Sequence, residues 1–314
     1  MRIVFFGSAE FACAVLDSLL LSPDDKLVGI VTQPDRPKGR SRKPAPCPIH
    51  AHMKKIKKDT IPILMPDDIN SAKHVQAIRA LSPDLIVIVA YGQILKSCIL
   101  TIPGNGCINV HASLLPKYRG GAPIQWAIAH GEKKTGVTVI YVTETIDAGD
   151  IINQLIEPIR DTDTAGSLHD RLAVRGAELL MRAIAAIRQG TTHRTPQNNE
   201  EATYAPKLKK SDGKLNWNLS AIELNNRIRG FNPWPGCFFR MPDGRIIRVF
   251  KASVEKNDYP GEPGEILQAH GKCPLVQTGK EALSLLEVQP EGHLAMSGSA
   301  FLCGYRLQTG QKLK

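Results

Sequence analysis

This 314-residue sequence predicts an α/β fold, a mostly parallel sheet covered by helices on both faces, followed by a small all-β domain. Two observations carry that expectation. Through about the first 160 residues, short apolar runs alternate with stretches of helical periodicity, and such alternation buries a parallel sheet between helices. Beyond about residue 200 helical periodicity nearly disappears, and short strand-like runs separated by turn residues replace it. The length exceeds one average domain, which suits two.

The elements follow in order. Residues 2–6 (RIVFF) form a buried strand, and residues 11–21 repeat apolar side chains at helical spacing. Residues 27–31 are a second strand. The stretch 32–48 (TQPDRPKGRSRKPAPCP) holds five prolines and the basic residues Arg36, Lys38, Arg40, Arg42 and Lys43, so it is expected as a long exposed loop. Residues 61–64, 84–90 and 106–110 continue the strands, with a helix over 68–81. Residues 136–142 and 150–157 are separated by a short loop and are expected to pair antiparallel at one edge. One long helix spans 165–189 and ends at Gly190. The polar stretch that follows reads as a linker, giving domains over 1–189 and 207–314 joined by 190–206. In the second domain a helix is expected over 220–229. Strands are expected over 237–241, 246–254, 265–268, 275–277 and 282–288, enough for a small barrel or sandwich.

Composition excludes several classes. No run of about 18 uncharged apolar residues exists, and residues 1–6 lack the basic start of a signal peptide, so a cytoplasmic protein without a membrane partner is expected. The seven cysteines are odd in number and scattered, with no CxxC pair, which fits reduced thiols. Cys47, His50 and His52 make half a zinc site at most, and no metal is expected. The net charge of +10 favours a polyanionic partner. With 23 basic and 18 acidic residues up to position 189, and 17 and 12 after it, each part carries +5 and no single tail holds the charge.

Ligands of open parallel sheets bind beyond the carboxyl ends of the strands, and three such ends carry polar residues. The first, Gly7-Ser8-Ala9-Glu10, lacks the G-x-G-x-x-G pattern that a dinucleotide needs. The second, Val89-Ala90-Tyr91-Gly92-Gln93-Ile94-Leu95, offers free backbone and aliphatic walls to a flat heterocycle. The third runs from Ile108 to Gly121. Asn109 and His111 lie two apart on a strand and project to one face, where an amide donor and an imidazole can hold an oxyanion and relay a proton. Pro116 and Gly120-Gly121 make a turn expected to present Lys117 and Arg119 beside them. A carboxylate from Glu144, Asp147 or Asp150 is expected to complete the set, and spacing does not choose among the three.

The run NVHASLLPKYRGGAPIQ over 109–125 and DAGD over 147–150 resemble the folate-dependent formyltransferases. So do QPDRP over 33–37 with Gly39-Arg40, VAYG over 89–92, FNPWPG over 231–236 and GYRL over 304–307, which extend the resemblance over nearly the whole chain, toward the members that act on aminoacyl-tRNA. Two departures are Ser8-Ala9, where the family usually has Thr-Pro, and Ala112, where glycine is common. The resemblance implies a Rossmann-like domain followed by an OB-like barrel. It implies 10-formyltetrahydrofolate as co-substrate, methionine-charged initiator tRNA as partner, a monomeric enzyme and no metal. It matches Asn109, His111 and Asp147 to the catalytic set. Val89, Ala90, Tyr91, Gly92, Ile94 and Leu95, with Ser113, Leu114, Leu115 and Pro116, are expected to line the folate site.

The basic loop corresponds to the insertion that engages the tRNA acceptor end, with Arg40 foremost among Arg36, Lys38, Arg40, Arg42 and Lys43. Lys207, Lys209 and Lys210 join them as tRNA-binding residues, and Arg227, Arg229, Arg245, Arg248 and Lys251 are further candidates to meet phosphate. A rival within the family is formyl transfer to a small amine, a ribonucleotide or amino sugar, which needs neither the barrel nor the basic loop. A nicotinamide-dependent oxidoreductase is disfavoured by the missing glycine fingerprint. A non-catalytic RNA-binding protein leaves Asn109, His111 and Asp147 without purpose.

Overall fold

The five apolar runs read as strands in the first half become five parallel strands: β1 (Arg2–Gly7), β2 (Lys26–Val31), β5 (Ile63–Leu64), β6 (Leu85–Val89) and β7 (Cys107–His111). Between β2 and β5 lie the short strands β3 (Arg36–Pro37) and β4 (Pro44–Ala45), which pair antiparallel with each other. The structure is a computed structural model and describes residues 1–37, 44–58, 60–256 and 260–314. Lys38, Arg40, Arg42 and Lys43, named above for the basic loop, lie outside the described residues. By contacts the chain divides into two units. One comprises Met1–Gly120, Lys134–Pro158 and His169–Tyr204, and the other Gly121–Lys133, Ile159–Leu168 and Ala205–Lys314.

In the first unit β9 (Lys134–Tyr141) and β10 (Ile151–Pro158) complete the main sheet, in the order β10-β9-β7-β6-β1-β2-β5 among the described residues, while the short strands β8 (Arg119–Gly120) and β11 (Tyr204–Ala205) lie outside it. Pairing is parallel from β5 to β7 and antiparallel from β7 through β9 to β10, as the short connection between the last two requires. Strand β6 is buried along its whole length, which accounts for its unbroken apolar sequence. Helix α1 (Phe11–Leu20) buries Phe11, Ala12, Val15, Leu16 and Leu19, a single stripe at helical spacing. Helix α6 (Ala165–Gln189) stops at Gly190, whose φ of 68° is a left-handed cap.

Two expectations change. The helix read over 68–81 begins only at α3 (Ala72–Ala80), because Asp68 takes the Asn70 N–H on its carboxylate and the Ser71 hydroxyl on its carbonyl, a turn that competes with helix. Helices α2 (Pro48–Ile56), α4 (Ser97–Leu100), α5 (Pro123–Ala129) and α8 (Gly298–Tyr305) had no counterpart in the sequence reading. At four to nine residues each, they are shorter than the window over which periodicity can be counted.

The second unit holds α5, α7 (Ala221–Gly230), α8 and an antiparallel sheet of β12 (Cys237–Arg240), β13 (Ile246–Glu255), β16 (Ala282–Pro290), β15 (Leu275–Gln277) and β14 (Ile266–Gln268), with β17 (Met296–Ser297) on β16. Ser220 caps α7 reciprocally with Glu223, two orphan donors satisfied at once. Residues 311–314 bond to both ends of the sheet. Leu313 N–H donates to the Gly264 carbonyl beside β14, and Lys314 exchanges two backbone bonds with Arg240 of β12. That segment therefore joins the two edges, leaving neither open. Leu224, Ile228, Phe231, Phe239, Ile247, Val249, Leu285 and Phe301 pack inside as one core. Among the described residues no helix is long and apolar enough to cross a membrane.

Candidate active site

Strand β7 ends at His111, and its pleat sends Asn109 and His111 to the same side. The loop between β9 and β10 brings Asp147, and neither Glu144 nor Asp150, to meet them. The Asn109 amide nitrogen lies 3.5 Å from Asp147 Oδ1, and His111 Nδ1 lies 3.5 Å from Asp147 Oδ2. Glu144 instead accepts the Ser97 N–H at 3.1 Å. These two contacts of Asp147 stand at the outer limit of hydrogen bonding.

The other nitrogen of the imidazole is committed. His111 Nε2 stands 2.9 Å from the Tyr118 carbonyl, which can only accept, so Nε2 carries the hydrogen. A proton arriving on the ring therefore lands on Nδ1, facing the Asp147 carboxylate. The turn after β7 serves both partners: Tyr118, with φ of 61°, aims its carbonyl at His111, and Gly120 donates its N–H to Asp147 Oδ2 at 2.8 Å. Asp147 itself sits at φ 52°, a conformation asparagine and aspartate tolerate better than other side chains. Gly149 is obligatory for close approach, since a Cβ there would lie 1.8 Å from the Tyr141 carbonyl oxygen.

Sequence reasoning missed Gln197 and misread Arg119. Gln197 belongs to the stretch taken as a linker. Its Nε2 donates to the carbonyls of Asp147 (2.8 Å) and Gly149 (2.7 Å), two residues apart on the β9–β10 loop. Arg119 is not presented to a ligand. Its guanidinium is buried, donating to Gln197 Oε1 and Asn199 Oδ1. A polar residue in a polar stretch gives no signal of either role.

The residues expected to line a folate site follow the carboxyl ends of the adjacent strands β6 and β7. Ala90 (φ 45°) and Gly92 (φ 94°) are exposed with left-handed backbone, and Ile94 is exposed beside them. Val89 and Leu95 are buried. The Tyr91 ring turns into the apolar core, edge-on to Phe6 at 5.2 Å, leaving its backbone carbonyl to accept from Gln33. The Ser113 hydroxyl is spent on the Lys117 carbonyl at 2.6 Å, and Leu115 is buried with its N–H on Thr138 Oγ1. Leu114 and Pro116 are half-buried. For Tyr91, Ser113 and Leu115, then, the fold itself uses the side chain.

At the first strand end Gly7 is a packing residue, with the Phe5 ring 2.6 Å from where a Cβ would stand. His50 and His52 pair with Asp35 and Asp17, and Cys47 Sγ stands 2.9 Å from Thr32 Oγ1. Arg36, Lys207, Lys209 and Lys210 are exposed, and the Lys207 stem lies against Gly121. Arg229 is withdrawn from the phosphate candidates. Its guanidinium donates to the carbonyls of Arg160 and Asp163, and burial pulls it below its ordinary range. Arg245 is held by Asp243 at 2.7 Å.

The formyl transferase family matches residues 1–184, and the formyl transferase C-terminal domain matches residues 207–306. Methionyl-tRNA formyltransferase of Bacillus pumilus is 43% identical over 313 residues, covering 99% of this chain and 97% of that one. The Bacillus subtilis enzyme of that name is 41% identical over 313 residues, covering 99% and 97%. Among solved structures, an N-formyltransferase from Helicobacter canadensis, in complex with folinic acid and dTDP-3-aminofucose, superposes with a TM-score of 0.65 at 19% identity, covering 91% of this chain and 99% of that one. HypX from Aquifex aeolicus, in complex with tetrahydrofolic acid, gives 0.60 at 19%, and this chain, 98% covered, spans 48% of the HypX chain. At that identity the two structures speak for the fold alone. Matched in both of its parts and similar to those relatives from end to end, the chain belongs to the formyl transferase family, in its methionyl-tRNA formyltransferase branch.

Proposed function

We propose that this chain transfers the formyl group of 10-formyltetrahydrofolate to the amino group of methionine esterified to initiator tRNA. The observation that carries the proposal is the convergence of an amide, an imidazole and a carboxylate, Asn109, His111 and Asp147, at the carboxyl edge of the parallel sheet. An α-amino group titrates near pH 8 and attacks as the free base. A carbon–nitrogen bond forms between that amine and the formyl carbon, giving a tetrahedral oxyanion. The Asn109 amide and a protonated Nδ1 of His111 are the donors for that charge. Collapse breaks the bond from carbon to the folate nitrogen. The amine loses a proton and the folate nitrogen gains one, and Asp147, beside both donors, is the group to manage that exchange directly or through water.

Ala90, Gly92 and Ile94, with the turn 113–116, supply backbone and apolar surface for the pterin. Exposed Arg36, Lys207, Lys209 and Lys210, and Lys38, Arg40, Arg42 and Lys43 from the basic loop, are the phosphate contacts. All three catalytic groups come from one chain, which suits a monomer. The test is incubation with formyl-labelled 10-formyltetrahydrofolate and either methionine-charged initiator tRNA or a panel of small amines. Label is expected on the methionine, and transfer to an amino sugar or ribonucleotide in preference to the charged tRNA would reject the assignment.

A further inference from the structure

We propose that Gln197 is a positioning residue for the reaction: its side-chain amide, itself oriented by buried Arg119, holds the backbone on which Asp147 stands. The inference rests on the reading of Asp147 as a catalytic group. Asp147 adopts a left-handed backbone, which costs an L-residue free energy unless the surroundings hold it there. Its carboxylate has one firm partner, the Gly120 N–H at 2.8 Å, while its contacts to Asn109 and His111 are both 3.5 Å. The backbone is gripped separately. One amide nitrogen, Gln197 Nε2, reaches the carbonyls of Asp147 and Gly149 at 2.8 and 2.7 Å and so pins both sides of Ala148.

That amide cannot turn over. Gln197 Oε1 receives Arg119 Nε at 3.1 Å and Nη2 at 2.8 Å, so a flipped amide would set its NH₂ against a guanidinium and its oxygen against two carbonyls. Arg119 is 4% exposed, and its partners are the neutral oxygens of Gln197 and Asn199, with no carboxylate in ion-pair range among the described residues. A cation buried without an opposite charge pays desolvation and gains no ion pair, so this contact contributes geometry more than stability. Its backbone is equally fastened. Arg119 N–H donates to the Thr203 carbonyl, and the preceding Tyr118 N–H donates to Thr203 Oγ1 at 2.9 Å. The stretch read as a linker is thus seated on the turn that serves His111, and through Gln197 on the loop that carries Asp147.

Gln197→Glu is the discriminating variant. It keeps an acceptor for Arg119 while replacing the donor with oxygen facing two carbonyls. Gln197→Ala removes both contacts. Each is made alone and together with Asp147→Ala in the full chain, and single-turnover formyl transfer to methionine-charged initiator tRNA is measured with the KM for 10-formyltetrahydrofolate and the melting temperature. Misplacing a catalytic group by about 1 Å costs on the order of 100-fold. We expect Gln197→Glu to stay folded, to lose about 10- to 100-fold in rate with the folate KM little changed, and to cause no further loss on the Asp147→Ala background. A normal rate for Gln197→Glu, or a loss that multiplies with that of Asp147→Ala, overturns the role. So does failure of both Gln197 variants to fold, which would make the residue a staple of the fold. A normal rate for Asp147→Ala would instead bring down the catalytic assignment and this inference with it, whereas an inactive Asp147→Ala beside a normal Gln197→Glu leaves that assignment standing.

Discussion

His111 has one ring nitrogen spent on the Tyr118 carbonyl and the other turned to a carboxylate 3.5 Å away, so its chemistry is confined to Nδ1. Among the described residues the Asn109 side-chain amide has no comparable short bond, its contact to Asp147 being equally long. In the proposed mechanism the Asn109 amide and Nδ1 of His111, neither held by a short bond, are the donors that close on the oxyanion. Asn109→Ala and His111→Ala should each lower kcat by about two to three decades while folate affinity stays nearly constant. Equilibrium folate binding and saturated turnover check this, and near-normal turnover in either variant would contradict it. Three thiols are placed oppositely: Cys107 and Cys237 are buried and Cys13 is half-buried. Burial pushes Cys13 up to about 11, with the charges of Glu10, Asp17 and Cys47 adding to it, and it pushes Cys107 and Cys237 each to about 12. At pH 8 their thiolate fractions are on the order of 10⁻³ or below, so alkylation of the folded protein should label exposed Cys303 and spare these three until denaturant is added. Peptide mass analysis reads the result, and early labelling of Cys107 or Cys237 would mean that the core opens.

The β9–β10 loop carries Asp147 between two antiparallel strands of the main sheet, so the proposed site depends on it. Its close pass over Tyr141 admits glycine alone at position 149. Gly149→Ala forces the loop away from that carbonyl while leaving the ladder of β9 and β10 intact, so the protein should fold and lose at least about tenfold in kcat. Circular dichroism with steady-state kinetics separates the two, and unchanged kcat would show that the loop has slack. The neighbouring turn 116–121 explains why Arg119 misleads at the level of sequence. A cation between a tyrosine and two glycines reads as a presented charge, yet Arg119 is drawn inward by Gln197 and Asn199, residues about 80 positions later.

At the scale of the molecule, the chain visits its two compact units alternately, and the second unit takes in residues 121–133 and 159–168 from within the stretch 1–189 expected as the first domain. Arg229 is bonded to backbone and Arg245 to Asp243, whereas Lys207, Lys209 and Lys210 of the second unit are exposed, as are Arg248 and Lys251. Replacing Lys207, Lys209 and Lys210 by alanine should weaken tRNA binding and make the log–log salt dependence shallower by about 2 to 3, with formyl-folate binding intact. Filter binding from 50 to about 200 mM salt tests this, and an unchanged slope would leave those lysines as solvated surface.

The parallel sheet, its antiparallel edge, the long helix ending at Gly190 and the pairing of Asn109 with His111 were all legible in the sequence, because each is written in a local period or a cap. The antiparallel strands of the second unit were legible for the same reason. Three things required the folded chain. Spacing leaves Glu144, Asp147 and Asp150 open and the family resemblance singles out Asp147, but that Asp147 stands beside Asn109 and His111 while Glu144 turns to Ser97 follows only from the folded loop. The joining of the second unit's sheet edges depends on residues 311–314 reaching Gly264 and Arg240 at once. The seating of Asp147 by Gln197 joins residues 50 apart through one side-chain amide whose orientation is set by a third residue, Arg119. Periodicity reports which face of an element is buried, whereas a hydrogen bond between loops distant in sequence exists only once the elements between them have packed.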